Sequence, residues 1–238
     1  MGLARLFTRD IWDSDVFLCT ISHIIIECNN FYTNRYINMT GKRGRPRLFD
    51  EETALRAAGE VFWNRGFAAT SLDDLASAMD MNRPSIYKAF GDKESIYRKA
   101  LGQFGEHMRR EFAATLEKES DIRKGLRKLY RKALDTYTAG DAPLGCMVMC
   151  TAPAAAIDHP EIQADLQSVI EEIDFRVKRR LSSARDDGQL DSSVDIEALS
   201  NMLQALQHSL AIRVRSGESK RALRKFIDTS LDLLLGQQ

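Results

Sequence analysis

Apolar residues recur every three to four positions along most of the chain from residue 50 onward. This spacing is that of amphipathic α-helices, and no run alternates between apolar and polar residues as a half-buried strand does. Glycine, proline and short polar residues interrupt the pattern and mark the ends of helices. The sequence therefore predicts an all-α protein with helices over 50–65, 71–79, 83–90, 93–117, 121–139, 145–157, 160–187, 194–215 and 220–235.

The segment 70–90, TSLDDLASAMDMNRPSIYKAF, predicts two short helices joined by a tight turn. Ser71 is suited to cap the first helix, and Asp74 three residues later completes a capping box. Asp80 stands at the turn, where a short polar side chain tolerates a left-handed backbone. Asn82 is suited to cap the second helix. The outward face of that second helix carries Arg83, Ser85, Tyr87 and Lys88.

A short helix with hydrogen-bond donors near its N-terminus and an apolar back is what a helix-turn-helix places in the major groove of DNA. The same spacing also fits two small helices packed in any all-α domain. The neighbouring residues favour the first interpretation, because Gly66-Phe67 ends a preceding amphipathic helix and Gly91-Asp92 opens a following one.

The segment from Phe49 to about Leu101 resembles the DNA-binding domain of the tetracycline-repressor (TetR) family. The resemblance rests on the stretch AAGEVFWNRGFAATSLDDLASAMDMNRPSIYKAFGDKESIY. The first helix, the GF..TS junction, the IYKAF helix and the GDKE junction follow one another at the spacing of that family. Asp80 departs from the pattern, because the family usually has glycine in this turn, and it implies a slightly strained turn.

The resemblance implies a three-helix helix-turn-helix domain over 50–100 and a helical effector-binding and dimerisation domain over 101–238. It implies a homodimeric repressor that a small molecule releases from a palindromic operator in double-stranded DNA. By resemblance, the residues that contact phosphates are Thr70, Ser71, Tyr87 and Lys93. By resemblance, the residues that face the groove are Asn82, Arg83, Pro84, Ser85 and Lys88.

Charge is balanced over the whole chain but uneven along it. The 34 basic and 34 acidic residues give a net charge of zero, so no general attraction to polyanions is expected. A basic arm over 39–49 carries Lys42, Arg43, Arg45 and Arg47 immediately before the helix-turn-helix. A solvated linker has the same composition, but in this position we expect the arm to follow phosphates or enter the minor groove.

Residues 1–38 match nothing in the family, lack lysine and differ sharply in composition from the segment that starts at Met39. We interpret them as a misassigned upstream start or a disordered extension, the alternative being an added helix through Asp15 to Glu27. A chain that begins at Met39 is expected to fold, dimerise and bind its operator.

The sequence predicts a cytoplasmic protein without a membrane segment. The apolar run over 16–26 is too short to span a bilayer, and no small-residue cleavage site follows it. The cysteines are too few and too irregularly spaced for a disulfide framework. The lack of such a framework is typical of proteins in a reducing compartment. They are Cys19, Cys28, Cys146 and Cys150.

Candidate effector-binding residues lie in the helices after residue 100, and they could equally fill a core. They are Phe104, Met108, Tyr130, Tyr137, Cys146, Met147, Met149 and Cys150. Cys146 and Cys150, spaced i, i+4 with His159 further along, could also act as a thiol switch or as soft metal ligands. We favour buried packing for both cysteines, since their segment is apolar and no third ligand is apparent. The sequence predicts no metal site and no cofactor.

The last two predicted helices carry leucine-rich stripes, which could finish an intramolecular core. The resemblance implies instead that these helices form a four-helix dimer interface. An enzyme is the contrasting class, but the sequence has no glycine-rich phosphate loop, nucleophile elbow or H-E-x-x-H motif. A protein-binding adaptor built on a helix-turn-helix is a further alternative, which the basic arm and the pair Arg83 and Lys88 disfavour.

Overall fold

A computed structural model describes residues 50–140 and 142–236, and the regular structure of these residues is helical. The helices of this part of the chain are α1 Glu51–Arg65, α2 Leu72–Ala78, α3 Arg83–Phe90, α4 Lys93–Phe112, α5 Ile122–Tyr137, α6 Met147–Ala155, α7 Pro160–Asp186, α8 Ile196–Arg215 and α9 Lys220–Leu235. The predicted all-α fold class is confirmed. Residues 1–38 and the basic arm with Lys42, Arg43, Arg45 and Arg47 lie outside the described residues.

Local side-chain caps define the boundaries of the short helices. The Ser71 hydroxyl accepts a hydrogen bond from the Asp74 amide at 3.1 Å, and the Asp74 carboxylate accepts one from the Ser71 amide at 2.9 Å. Asn82 caps α3 by accepting from the Ser85 amide at 2.9 Å. Asp80 has a φ of 50°, the left-handed conformation predicted for the turn. The capping box, the turn and the second cap are therefore as the sequence predicts.

The helix-turn-helix is held by an apolar centre to which α1, α2, α3 and α4 all contribute. Phe62, Leu75, Ile86 and Tyr97 are completely buried. The rings of Phe62 and Tyr97 meet edge to face with their centroids 5.0 Å apart, a favourable arrangement for two aromatic side chains. Because α3 buries Ile86 in this centre, its opposite side is left facing solvent.

Helix α4 runs without a break across the predicted domain boundary at residues 100 and 101. It ends at Phe112, and a π-helical turn, Ala113–Glu117, continues it. The predicted helix over 93–117 is thus divided into an α-helical and a π-helical part. Since α4 begins in the helix-turn-helix and ends against α5, it physically connects the two parts of the molecule.

Helices α5 to α9 form the second part, in which the predicted leucine stripes pack inward. Leu203 and Leu210 of α8, and Leu223 and Leu231 of α9, are buried within the subunit. These leucines complete an intramolecular core, whereas Met202, Ile212 and Leu233 on the same two helices are exposed.

Helix α6 is shorter and less enclosed than the apolar segment over 145–157 suggests. Cys146 is the residue before the helix, and Pro153 and Ala154 face solvent. The apolar composition of this segment therefore does not mean that the helix is buried on all sides. Within residues 50–140 and 142–236, no helix has the length and apolarity needed to cross a bilayer.

Candidate DNA-binding surface and effector cavity

Helix α3 presents an exposed polar surface opposite its buried side. Pro84, Tyr87 and Lys88 are exposed, and half of the Tyr87 side chain is accessible to solvent. Asn82 is exposed at the N-terminal end, and Ser85 is partly exposed. The predicted groove-facing residues therefore lie together around the first two turns of α3.

Arg83 is engaged in a bidentate ion pair with Asp73 of α2. Its Nε and one terminal nitrogen donate to the two Asp73 oxygens at 2.8 and 2.6 Å. This guanidinium lowers the pKa of Asp73 through hydrogen bonds and charge. Both groups are exposed, so the pair orients Arg83 more than it stabilises the fold.

Thr70 and Lys93 stabilise the junction between α1 and α2. Thr70 is 2% exposed and its hydroxyl donates to the Gly66 carbonyl at 2.7 Å. The Lys93 ammonium donates to the carbonyls of Phe67 and Thr70 at 3.1 Å each and lies 4.3 Å from the Phe67 ring centre. The Thr70 hydroxyl is directed into the fold, whereas Ser71 beside it is exposed.

An apolar cavity of about 110 Å³ lies between α4, α5, α7 and α8, with the start of α6 at one side. The predicted residues that line it are Phe104, Met108, Tyr130, Tyr137, Cys146 and Met149. Met147 and Cys150, which were also predicted, are not part of the lining. Met147 packs into the core, and the Cys150 sulfur lies 3.8 Å from the Ala211 carbonyl.

Several polar residues of the cavity were not predicted from the sequence. They are Arg109 of α4, Glu172 and Arg176 of α7, and Gln204, Gln207 and His208 of α8. For two of them the sequence contains a signal, because Gln204 and Gln207 lie between leucines on the inward face of an amphipathic helix. Polar side chains at such positions are buried and need partners, which is a reason to examine them for function.

Cys146 is buried and Cys150 is partly buried, and neither is in a disulfide. Burial raises the pKa of the Cys146 thiol to about 11. Burial also raises the pKa of Cys150, although the nearby Arg215 opposes that effect. A raised pKa leaves little of the nucleophilic thiolate at neutral pH. Among the described residues, no three His, Cys, Asp or Glu side chains are grouped as metal ligands.

Trp63 of α1 links the helix-turn-helix to the wall of the cavity. Its indole nitrogen donates to the Gly145 carbonyl at 3.0 Å, just before α6. Its ring meets Phe104 edge to face at 5.1 Å, and Phe104 lines the cavity. Arg215, at the end of α8, donates to the carbonyls of Trp63 and Leu144 at 3.1 Å each. A displacement of Phe104 would therefore act directly on α1.

Two further contacts join α4 to α6 and to the start of α7. The hydroxyls of Tyr97 and Thr151 are 2.6 Å apart in the buried interior, and burial raises the pKa of Tyr97 to about 12. His159 Nδ1 lies 2.8 Å from a carboxylate oxygen of Glu94. Together with Trp63, these contacts connect the positions of α1 and α4 to those of α6 and α7.

An exposed helix on a helix-turn-helix, joined through one long helix to a second helical domain, defines a DNA-binding regulator of the helix-turn-helix class. A family model described as "Bacterial regulatory proteins, tetR family" matches residues 54–100. A second model, "Tetracyclin repressor-like, C-terminal domain", matches residues 123–230. The chain belongs to the TetR family of transcriptional regulators.

Individual relatives agree with this assignment over most of their length. The HTH-type transcriptional repressor ComR of Escherichia coli (strain K12) is 27% identical over 192 residues, which are 80% of this chain and 91% of ComR. A solved structure of a cysteine mutant of the TetR family regulator CifR, complexed with 26bp double-strand operator DNA, is 31% identical. It aligns with a TM-score of 0.68 over 79% of this chain and 98% of CifR.

Proposed function

We propose that this TetR-family regulator is a homodimeric repressor that leaves its operator when a small molecule enters the cavity between α4, α5, α7 and α8. The contact between Trp63 and Phe104 is the observation that supports a response to ligand. Phe104 lines the cavity, and Trp63 belongs to the DNA-binding part. The names of relatives such as ComR support repression. The CifR complex supports binding to an operator.

In this proposal, α3 enters the major groove with its exposed side toward the bases. Lys88 and Tyr87 project from that side, and the exposed Ser71 at the start of α2 is the proposed phosphate contact beside it. To contact a base or a phosphate, Arg83 must either break its ion pair with Asp73 or keep that pair during the contact. Lys93 and Thr70 then serve mainly to position the surface. The basic arm over 39–49 contributes sequence-independent affinity through its lysine and arginines.

The C-terminal helices are the proposed dimer interface. Helix α8 has an uncharged stripe at helical spacing that consists of Ala198, Met202, Ala205, Ser209 and Ile212. Helix α9 has a second stripe, Ala222, Phe226, Thr229 and Leu233. Met202, Ile212 and Leu233 are more than half exposed in the single subunit, with Leu233 at 82%. Two copies of this hairpin would bury these apolar side chains in a four-helix arrangement.

Dimerisation would give a pair of recognition helices, which read two half-sites about one helical turn of DNA, ~34 Å, apart. A ligand that displaces Phe104 would move Trp63 and the beginning of α4 relative to α6. Because both subunits change, the spacing of the two α3 helices would no longer match the operator. Ligand binding and operator binding would then be mutually unfavourable.

The proposal is tested by selecting genomic fragments that bind the purified protein and then footprinting them. A short inverted repeat protected by a dimer is the expected result. An unbiased thermal-shift screen of small molecules would supply ligands, which should lower operator affinity in an anisotropy titration. Failure to enrich any DNA fragment, or ligands that bind and leave operator affinity unchanged, would contradict the corresponding half of the proposal.

A further inference from the structure

The cavity between α4, α5, α7 and α8 is small and mainly apolar. Its volume is about 110 Å³, and its apolar wall includes Phe104, Met108, Leu129, Val169 and Ile173. An apolar protein cavity of about 150 Å³ is sufficient for benzene. The volume is about three-quarters of that, which fits a compact molecule of four or five non-hydrogen atoms or the buried end of a slightly larger one.

The charged residues of the cavity wall are paired with one another or with neighbours. Glu172 accepts from Arg109 at 3.2 Å through one oxygen and from Arg176 at 3.1 Å through the other. Arg109 also donates to Glu106 at 2.9 Å, and Arg176 donates to Glu117 at 3.2 Å. A charged ligand would lose its hydration and find counter-charges that are already engaged, which is unfavourable.

Most neutral polar groups of the wall also have partners. The Tyr130 hydroxyl donates to the Leu203 carbonyl at 2.6 Å. The Gln204 amide nitrogen donates to the Asp174 carboxylate. Burial lowers the pKa of His208, so its imidazole is uncharged at neutral pH. These groups add polarity to one side of the cavity without adding net charge.

Gln207 differs from Tyr130 and Gln204. Its amide nitrogen donates to the Tyr137 hydroxyl at 2.7 Å, which fixes the orientation of the side chain. Its carbonyl oxygen is buried and has no hydrogen-bond partner among the described residues. A buried acceptor without a partner is costly and uncommon in proteins. Gln207 lines the cavity, and a ligand that shifts this side chain enough to reach the buried oxygen would supply the missing donor.

We propose that the cavity binds a small, uncharged, mainly apolar molecule whose single hydroxyl or amide N–H donates a hydrogen bond to Gln207 Oε1. This inference rests on the proposed function, since it assigns the chemistry of the effector to the same cavity. The apolar wall contributes affinity through burial, and the Gln207 oxygen selects a donor over an acceptor.

Calorimetric titration of the full chain in the absence of DNA tests this chemistry with three probes of similar shape. Cyclohexanol carries a donor, cyclohexanone carries only an acceptor, and cyclohexylamine is a cation at neutral pH. We expect cyclohexanol to bind about tenfold more tightly than cyclohexanone, which is the size of one buried hydrogen bond. We expect no saturable binding of cyclohexylamine.

Two variants identify the group responsible. Gln207→Leu should bind cyclohexanol and cyclohexanone equally, because the acceptor is gone. Ser200→Ala is the matched control: Ser200 is on the same helix and also has a buried oxygen without a partner among the described residues, but it does not line the cavity. This control should keep the preference for the alcohol.

Equal affinity of the wild type for the alcohol and the ketone, tighter binding of the amine, or no saturable binding of any probe would overturn the inference. A preference for the alcohol that persists in Gln207→Leu would also overturn it. The comparison of the alcohol with the ketone uses the wild type alone, so it does not depend on whether a variant folds. Operator release by cyclohexanol is measured separately. Binding without release would contradict the proposed ligand response and leave the chemistry of the cavity supported.

Discussion

The indole nitrogen of Trp63 donates a hydrogen bond of 3.0 Å to the carbonyl oxygen of Gly145, 82 residues further along the chain. This bond joins α1 of the DNA-binding part to the segment that leads into α6. We predict that Trp63→Phe, which keeps a ring against Phe104 but removes the donor, lowers stability by about 1 kcal/mol. Thermal unfolding measures that loss.

The same variant should retain operator binding and show a smaller reduction of affinity when a cavity ligand is added, because one connection between the two parts is missing. Anisotropy titrations with and without a saturating ligand measure this difference. An unchanged ligand effect in Trp63→Phe would mean that the coupling does not pass through the Gly145 bond.

The ion pair between Arg83 and Asp73 leads to a second prediction, which concerns the overall affinity for DNA. Asp73→Asn removes a carboxylate that holds Arg83 and that would lie near phosphates. We expect affinity for operator and for unrelated DNA to rise together by about threefold to tenfold, with a steeper dependence on salt. Asp80→Asn is the control, because it removes an exposed carboxylate from the neighbouring turn and asparagine also accepts the left-handed backbone found there. Equal effects of the two substitutions would exclude a specific role for the ion pair.

The first part of the fold could be predicted from sequence because its determinants are local. Ser71, Asp74 and Asn82 act on amides three residues away or fewer, so their positions in the sequence are sufficient to assign the caps. The pairing of Arg83 with Asp73 joins side chains ten residues apart on two helices, and the amphipathic pattern does not contain it.

The effector cavity could be predicted only in part, because it is formed by side chains from several helices. Cys146, Met147, Met149 and Cys150 were expected to line the cavity, but Met147 packs into the core and the Cys150 sulfur lies against the Ala211 carbonyl of α8. Gln207 was missed because its importance depends on Tyr137, 70 residues earlier in the chain, and on an oxygen left without a partner. The local sequence marks Gln207 as a polar residue on an apolar helix face, but its partner and its unpaired oxygen arise from tertiary packing.

A third prediction concerns the thiols. With its pKa raised to about 11, Cys146 should react with iodoacetamide at pH 8 far more slowly in the native protein than in urea. At that pH roughly a thousandth of such a thiol is ionised, compared with about a quarter of a thiol with the ordinary pKa of 8.5. Peptide mapping of Cys146 by mass spectrometry measures the two rates.

The double variant Cys146→Ala, Cys150→Ala should lose some stability, since both side chains are packed, and should keep its operator binding and its response to a ligand. If oxidant or a thiophilic metal released the wild type from DNA and did not release the variant, the cysteines would be sensors and the packing interpretation would be wrong.

A fourth prediction concerns assembly. Leu233→Glu should convert the proposed dimer to monomers in sedimentation velocity, because a carboxylate in an apolar interface is strongly unfavourable. Ile157→Glu is a matched control, since Ile157 is also 82% exposed but lies after α6, away from the α8 and α9 stripes. A dimer that persists in Leu233→Glu, or dissociation in both variants, would place the interface elsewhere.

The central claim is that α3 reads an operator, and anisotropy titration of a footprinted operator at fixed salt tests it most directly. Arg83→Ala and Lys88→Ala should each weaken binding by about 1–3 kcal/mol, with unchanged circular dichroism. Lys132→Ala, which removes the same charge from the exposed side of α5, should bind like the wild type. Wild-type affinity in both α3 variants would contradict the assignment of α3 as the recognition helix.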